Sequence, residues 1–235
     1  MPDLSCTPNL EELVLSDCKN LVEAHESIAH HDKLQELNLR GCRKFDSFPD
    51  IPHKIEGLKK LSLQGTAIRE LPTSIKNLVS LEKKMNLCNC KNLVGLPSSI
   101  YKLQSIELLE LANCTNLIGF PKYEDSADPR MKNRLSNLLY LGLGGCNFSE
   151  IEFLENPSCC PLLRRLILVE NNVTSLPTSI RKRDHLSILV VSYCHQLQEL
   201  PELPPFLKHL FADNCKSLQK KLEIQHHFLL LSVEC

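Results

Sequence analysis

One pattern, L-x-x-L-x-L-x-x-C, returns nine times along the 235 residues, and nothing else in the chain restricts its fold so strongly. It is written in NLEELVLSDC, KLQELNLRGC, GLKKLSLQGT, LEKKMNLCNC, SIELLELANC, NLLYLGLGGC, LLRRLILVEN, HLSILVVSYC and FLKHLFADNC. The last positions, here termed anchors, are Cys18, Cys42, Thr66, Cys90, Cys114, Cys146, Asn171, Cys194 and Cys215, so the steps are 24, 24, 24, 24, 32, 25, 23 and 21 residues. At eight, five and three residues before the anchors, 26 of 27 side chains are apolar. The exception is Glu82, where an extra lysine in Leu81-Glu82-Lys83-Lys84-Met85 displaces Leu81 by one place.

A period in this range is that of a leucine-rich repeat. Within each unit the L-x-L alternation predicts a short strand with leucines inward and the intervening residues outward. Successive strands stack about 4.8 Å apart into a parallel sheet. Where the anchor is Cys the return half usually reads C-x-x-L-x-x-L-P, as at Cys90, Leu93, Leu96 and Pro97; around Thr66 and Asn171 it is one residue shorter, as at Thr66, Ile68, Leu71 and Pro72. Proline cannot donate to a ladder, and the Thr-Ser-Ile or Ser-Ser-Ile that follows (Thr73 to Ile75, Ser98 to Ile100, Thr178 to Ile180) is expected to supply capping hydroxyls. Ile75, Leu78 and Leu81 then return to the core. No unit buries its apolar face alone, so stability comes from neighbours. The expected fold is an α/β solenoid: a horseshoe of about nine repeats, with a parallel concave sheet and short helical or irregular convex segments. Residues 1–219 form the repeat domain and residues 220–235 a non-repeat tail.

The cysteines follow from the same register. Seven of the twelve are anchors, where a small, weakly polar atom fits a sharp turn and bonds nearby backbone. The others are Cys6, Cys88, Cys159, Cys160 and Cys235, with Cys88 expected to face outward and Cys90 inward. Zinc sites need paired ligands at C-x₂₋₄-C spacing, so Cys88 and Cys90 are read as structural. His30-His31 and His226-His227 lack a helical spacing beside Glu and are expected in solvated turns. G-x-x-x-x-G-K-[ST], G-x-G-x-x-G and G-x-S-x-G are all absent, no catalytic or metal constellation is found, and no cofactor is expected.

With 27 basic and 28 acidic residues there is no general attraction to nucleic acid or anionic membrane, and a protein surface is the expected partner rather than a small molecule. No stretch approaches the ~20 apolar residues that span a bilayer, and the first residues lack a signal-peptide pattern. Asn113-Cys114-Thr115, Asn147-Phe148-Ser149 and Asn172-Val173-Thr174 match glycosylation acceptors, yet many buried thiols suit a reducing compartment, and the cytosol or nucleus is favoured. The 32-residue step holds Tyr123 to Lys132, polar and charged, expected as a loop on the convex or edge side.

PNLEELVLSDCKNLVEAHESI, LSLQGTAIRELPTSIKNLVSL, NLCNCKNLVGLPSSIYKL and ILVVSYCHQLQELPELPPFLKHLFADNCKSLQ resemble the leucine-rich-repeat region of plant intracellular disease-resistance receptors of the TIR, nucleotide-binding type, over about residues 3 to 219. The resemblance implies a recognition module for a pathogen effector, a guarded host protein or the receptor's own nucleotide-binding domain, acting in defence signalling. With no TIR or nucleotide-binding segment before Met1, and a tail that leaves the pattern, the chain is expected to be a truncated or partial receptor. An extracellular receptor ectodomain and the substrate-binding repeats of a ubiquitin-ligase adaptor are the alternatives. The expected binding positions lie six, four and two residues before the anchors. They comprise a polar set, Glu36, Arg40, Lys60, Gln64 and Tyr140, and a largely apolar set, Arg165, Ile167, Val169, Ile188, Val190, His209 and Phe211. A neighbouring domain or the tail covering the apolar set is the plainer alternative.

Overall fold

The computed structural model describes residues 1, 3–123 and 134–218. Nine three-residue strands fall at the predicted positions: β1 (Glu12–Val14), β2 (Glu36–Asn38), β3 (Lys60–Ser62), β4 (Lys84–Asn86), β5 (Leu108–Glu110), β6 (Tyr140–Gly142), β7 (Arg165–Ile167), β8 (Ile188–Val190) and β9 (His209–Phe211). They form one parallel sheet in chain order, in the register of the repeat, so Leu37 lies opposite Leu61 and Leu166 opposite Leu189. Each strand turns its middle residue to the core, and the ladder runs on beyond it: Leu15 N–H donates to Asn38 O at 2.8 Å and Asp17 N–H to Arg40 O at 2.6 Å. Positions two before the anchor therefore belong to the same surface as the strands.

The chain leaves the sheet by a turn that the leucine pattern does not announce. The residue before every anchor, from Asp17, Gly41 and Gly65 through Glu170 and Tyr193 to Asn214, has left-handed backbone with φ between 57° and 73°. That region is costly for side chains other than Gly, Asn and Asp, and seven of the nine positions use those three. A Cβ on Gly41 or Gly145 would also strike the Asp17 or Asn113 side chain of the preceding repeat.

The anchors point inward as expected, and their thiols do more than fill space. Cys42, Cys90, Cys114, Cys146, Cys194 and Cys215 each direct Sγ to a carbonyl of the preceding repeat at 3.0 to 3.2 Å. Asn171 spans the same gap, with Nδ2 donating to Leu143 O at 2.8 Å and Oδ1 accepting Phe148 N–H at 2.9 Å. Cys18 is the correction: it has no preceding anchored repeat to receive its thiol, and it is exposed.

The convex side carries 3₁₀ turns: η1 (Glu26–His30), η2 (Thr73–Asn77), η3 (Ser98–Lys102), η4 (Glu152–Glu155), η5 (Pro157–Cys159) and η6 (Thr178–Lys182). The caps before η2, η3 and η6 are Pro72, Pro97 and Pro177, and none receives a side-chain capping bond, contrary to expectation. The hydroxyls link repeats instead: Ser74 Oγ donates to Asp50 Oδ1 at 2.8 Å and accepts Ile51 N–H at 3.0 Å, and Ser179 Oγ donates to Leu154 O at 2.8 Å. Ile75, Leu78 and Leu81 are buried, the displaced Leu81 filling the core in place of Glu82. One core runs the length of the array.

One further expectation is corrected. His31 is not solvated; it is buried, its Nε2 2.8 Å from Leu4 O, and Leu4 is covered by this bond and by its N–H donating to Ser27 Oγ at 3.0 Å. His30 is exposed, its ring 4.9 Å from that of His53. The expected loop beyond Tyr123, the tail at 220–235 and His226-His227 lie outside the described residues.

Candidate functional site

Every repeat turns three positions to the concave face, in rows six, four and two residues before the anchors, and the face changes character along its length. At the first end Glu36 and Lys60, opposite one another on β2 and β3, form an ion pair at 2.9 Å. That hydrogen bond and charge raise the Lys60 pKa. Asn86 Nδ2 donates to Gln64 Oε1 at 3.2 Å, while Asn38 and Asn86 side chains accept the N–H groups of Arg40 and Cys88. Arg40 is exposed at the rim. Cys88 faces Lys84 and Glu110 on this side but is nearly covered; burial, with Glu110 adding to it, pushes its thiol up to about 11.

In the middle, Tyr140 on β6 lies beside Glu110 on β5, and burial, reinforced by that carboxylate, pushes the phenol up to about 12. Gly142 is bare because a Cβ there would collide with the Glu110 carboxylate. The loss of side chains at Gly142 and Gly144 leaves a step before the last three strands.

Beyond that step the register sets Arg165 opposite Ile188 and Ile188 opposite His209; in the next row Ile167 faces Val190 and Val190 faces Phe211. Val169 completes the apolar group one position on. Ile167, Val169, Ile188 and Val190 are half-buried, while Phe211 keeps 47% of its surface exposed and stacks on His209 at 6.3 Å. Ser192 Oγ donates to Asp213 Oδ2 at 3.2 Å and fixes the outer row. The sequence reading missed Tyr193. It is 46% exposed, follows Ser192 of the outer row in sequence with its ring 6.4 Å from that of His195, and holds φ 62°, a conformation unfavourable for an aromatic residue. Its signal was available: it occupies a position otherwise filled mostly by Gly, Asn or Asp. Among the described residues, no group of three or more His, Cys, Asp or Glu is placed to hold a metal ion.

The family model for the leucine-rich repeats of RPS4B-like disease resistance proteins matches residues 32–226. The chain belongs to this family. Within it, the chain is 31% identical to disease resistance protein RPS4B of Arabidopsis thaliana over 99% of its own length, and 29% identical to TMV resistance protein N of Nicotiana glutinosa over 90%. It spans only 19% and 24% of those two proteins. Among solved structures it resembles the leucine-rich-repeat domain of the type III effector XopL (26% identity, TM-score 0.59, covering 90% of this chain and 64% of that one). Internalin C2 of Listeria monocytogenes shares the fold at 16% identity, with a TM-score of 0.57 over 85% of this chain and 78% of that one. Family members of this kind carry repeats that are protein-interaction modules, which agrees with a face built of graded polar and apolar rows.

Proposed function

We propose that the chain is the recognition module of a TIR-type nucleotide-binding immune receptor, binding a protein without catalysing a reaction. The observation that carries this reading is the change along one continuous sheet from the Glu36–Lys60 pair to the Ile167, Ile188, Val190 and Phe211 group. An apolar centre with Arg165, His209, Tyr193 and Asp213 around it has the composition of a protein interface: aromatic and arginine anchors within a polar rim. A pathogen effector, a guarded host protein and the receptor's own nucleotide-binding domain are the partners this surface suits. The cytosol or nucleus is the fitting compartment. All eleven cysteines among the described residues are free thiols. Two of the three glycosylation-type asparagines are engaged, Asn113 Nδ2 with Asn89 Oδ1 at 3.3 Å and Asn147 Nδ2 with Thr115 O at 3.3 Å.

The test is quantitative co-purification from infected and uninfected plant tissue with the wild-type chain, Phe211→Asp, and Lys84→Ala as a control at the polar end. Proteins retained by the wild type and Lys84→Ala but lost with Phe211→Asp support the reading. Equal retention by all three, with Phe211→Asp folded, contradicts it.

A further inference from the structure

The turn after η6 puts a charge where its counterparts put leucine. The residues that close η2 and η3 are Leu78 and Leu103, both buried in the core; the one that closes η6 is Arg183, with only 4% of its surface exposed. An arginine stays protonated there, and burying it without compensation is costly. The preceding repeat supplies the compensation. Nη2 donates to Leu154 O at 3.2 Å and Asn156 O at 3.3 Å, and Nη1 to Cys160 O at 3.4 Å. The same two nitrogens lie 3.5 Å from Cys159 Sγ and 3.8 Å from Cys160 Sγ. These partners are three carbonyls and two sulfurs, with no carboxylate among them. The sulfurs, on adjacent residues at the end of η5, are 3.0 Å apart.

We propose that Cys159 and Cys160 form a hydroperoxide-oxidisable dithiol, activated by the buried guanidinium of Arg183. Among the described residues no carboxylate is bonded to Arg183, and ionisation of Cys159 supplies it a countercharge. The hydrogen bond from the Cys160 thiol and then the Arg183 charge draw Cys159 down to about 7 against its burial, while Cys160 is pushed up by the same bond and by burial. The anchors contrast with this: Cys146 and Cys194, buried without a cation, are raised to about 11. A surface hollow lined by Lys122, Tyr123, Glu152, Glu155, Asn156 and Pro157 borders the turn carrying the pair, but both thiols are buried, so peroxide enters by local opening of that turn.

The reaction balances with hydrogen peroxide as oxidant. The Cys159 thiolate attacks one peroxide oxygen, an S–O bond forms, the O–O bond breaks and hydroxide leaves, giving a sulfenic acid. That hydroxide takes the Cys160 proton and becomes water. The Cys160 thiolate then attacks Cys159 sulfur, the S–S bond forms and the S–O bond breaks, and a second hydroxide leaves to be protonated by solvent. The two sulfurs are oxidised by two electrons and one peroxide becomes two waters. Disulfide formation also removes the anion beside Arg183, so oxidation loosens the packing of η4, η5 and η6 behind β6 and β7.

The test treats the intact chain with hydrogen peroxide, alkylates it after denaturation and digests it after basic residues. The peptide between Arg134 and Arg164 carries Cys146, Cys159 and Cys160 together. The expected product has Cys146 alkylated and the other two joined, lighter by two hydrogens, and dithiothreitol restores three alkylated cysteines. Arg183→Leu, which installs the residue that closes η2 and η3, should slow this oxidation at least roughly fivefold, because the gain in intrinsic nucleophilicity only partly offsets the lost thiolate fraction. Cys160→Ser should instead leave a Cys159 sulfenic acid that dimedone traps. Oxidation of Cys146 or Cys194 as fast as the pair, a wild-type rate in folded Arg183→Leu, or no dimedone adduct in Cys160→Ser overturns the proposal.

Discussion

Tyr193 occupies the left-handed position that Gly, Asn or Asp fills in seven of the nine repeats, and it does so in the repeat of β8, directly after Ser192 of the outer row. Left-handed backbone costs an ordinary side chain about 1–2 kcal/mol. Tyr193→Asn is therefore expected to raise stability by about 1 kcal/mol in urea unfolding while weakening partner binding, a trade between a strained contact residue and a relaxed turn. Asn171 illustrates the opposite case. It is buried, and removing its amide leaves Phe148 N–H and Leu143 O without their partner, so Asn171→Ala should cost about 2–3 kcal/mol by the same measurement. The anchor register was legible because leucines recur at fixed spacing. The left-handed residue was not, because its signal is composition at one position rather than hydrophobicity, and Glu170 and Tyr193 interrupt it.

At the level of elements, the strands were legible to the residue and the turns only in outline. Three-residue strands have their middle side chain fixed inward by the period of two, and the parallel register then follows from the repeat length. The Leu-Pro-Thr-Ser-Ile and Leu-Pro-Ser-Ser-Ile segments gave the position of η2, η3 and η6, but not the use of their hydroxyls: Ser74 and Ser179 bond to the neighbouring repeat, a partner some two dozen residues away that no local reading supplies. Arg183 was overlooked for a related reason, since a charged residue in a loop reads as solvated until the repeat packed against it is known. Leu111 lies at the centre of this stacking, fully buried next to β5. Leu111→Ala opens a cavity between neighbours and should cost about 2–5 kcal/mol, seen as a lower unfolding midpoint.

Across the whole molecule, stability is a sum over neighbouring repeats, and β1 and β9 have a paired strand on one side only. Leu210, the inward residue of β9, is accordingly 39% exposed, whereas its counterpart Leu189 on β8 is fully buried. Hydrogen exchange is expected to be slowest in β4 to β6 and to accelerate toward β1 and β9; uniform protection would show that the ends are as well supported as the middle. The outward rows of the binding face were legible as positions, and the half-burial of Ile167, Val169, Ile188 and Val190 was not, because it depends on how closely adjacent strands bring their side chains. One alternation organises the molecule: inward residues hold the solenoid together, and outward residues on β7 to β9 form the proposed partner surface. Three adjacent substitutions on β8 test it most directly, with the thermal midpoints of Ile188→Asp, Leu189→Asp and Val190→Asp measured side by side. Leu189 is fully buried and its flanking residues are not, so Leu189→Asp should abolish cooperative unfolding while the other two keep a midpoint near that of the wild type. Loss of folding in Ile188→Asp or Val190→Asp, or a stable Leu189→Asp, would contradict the alternation and the binding face built on it.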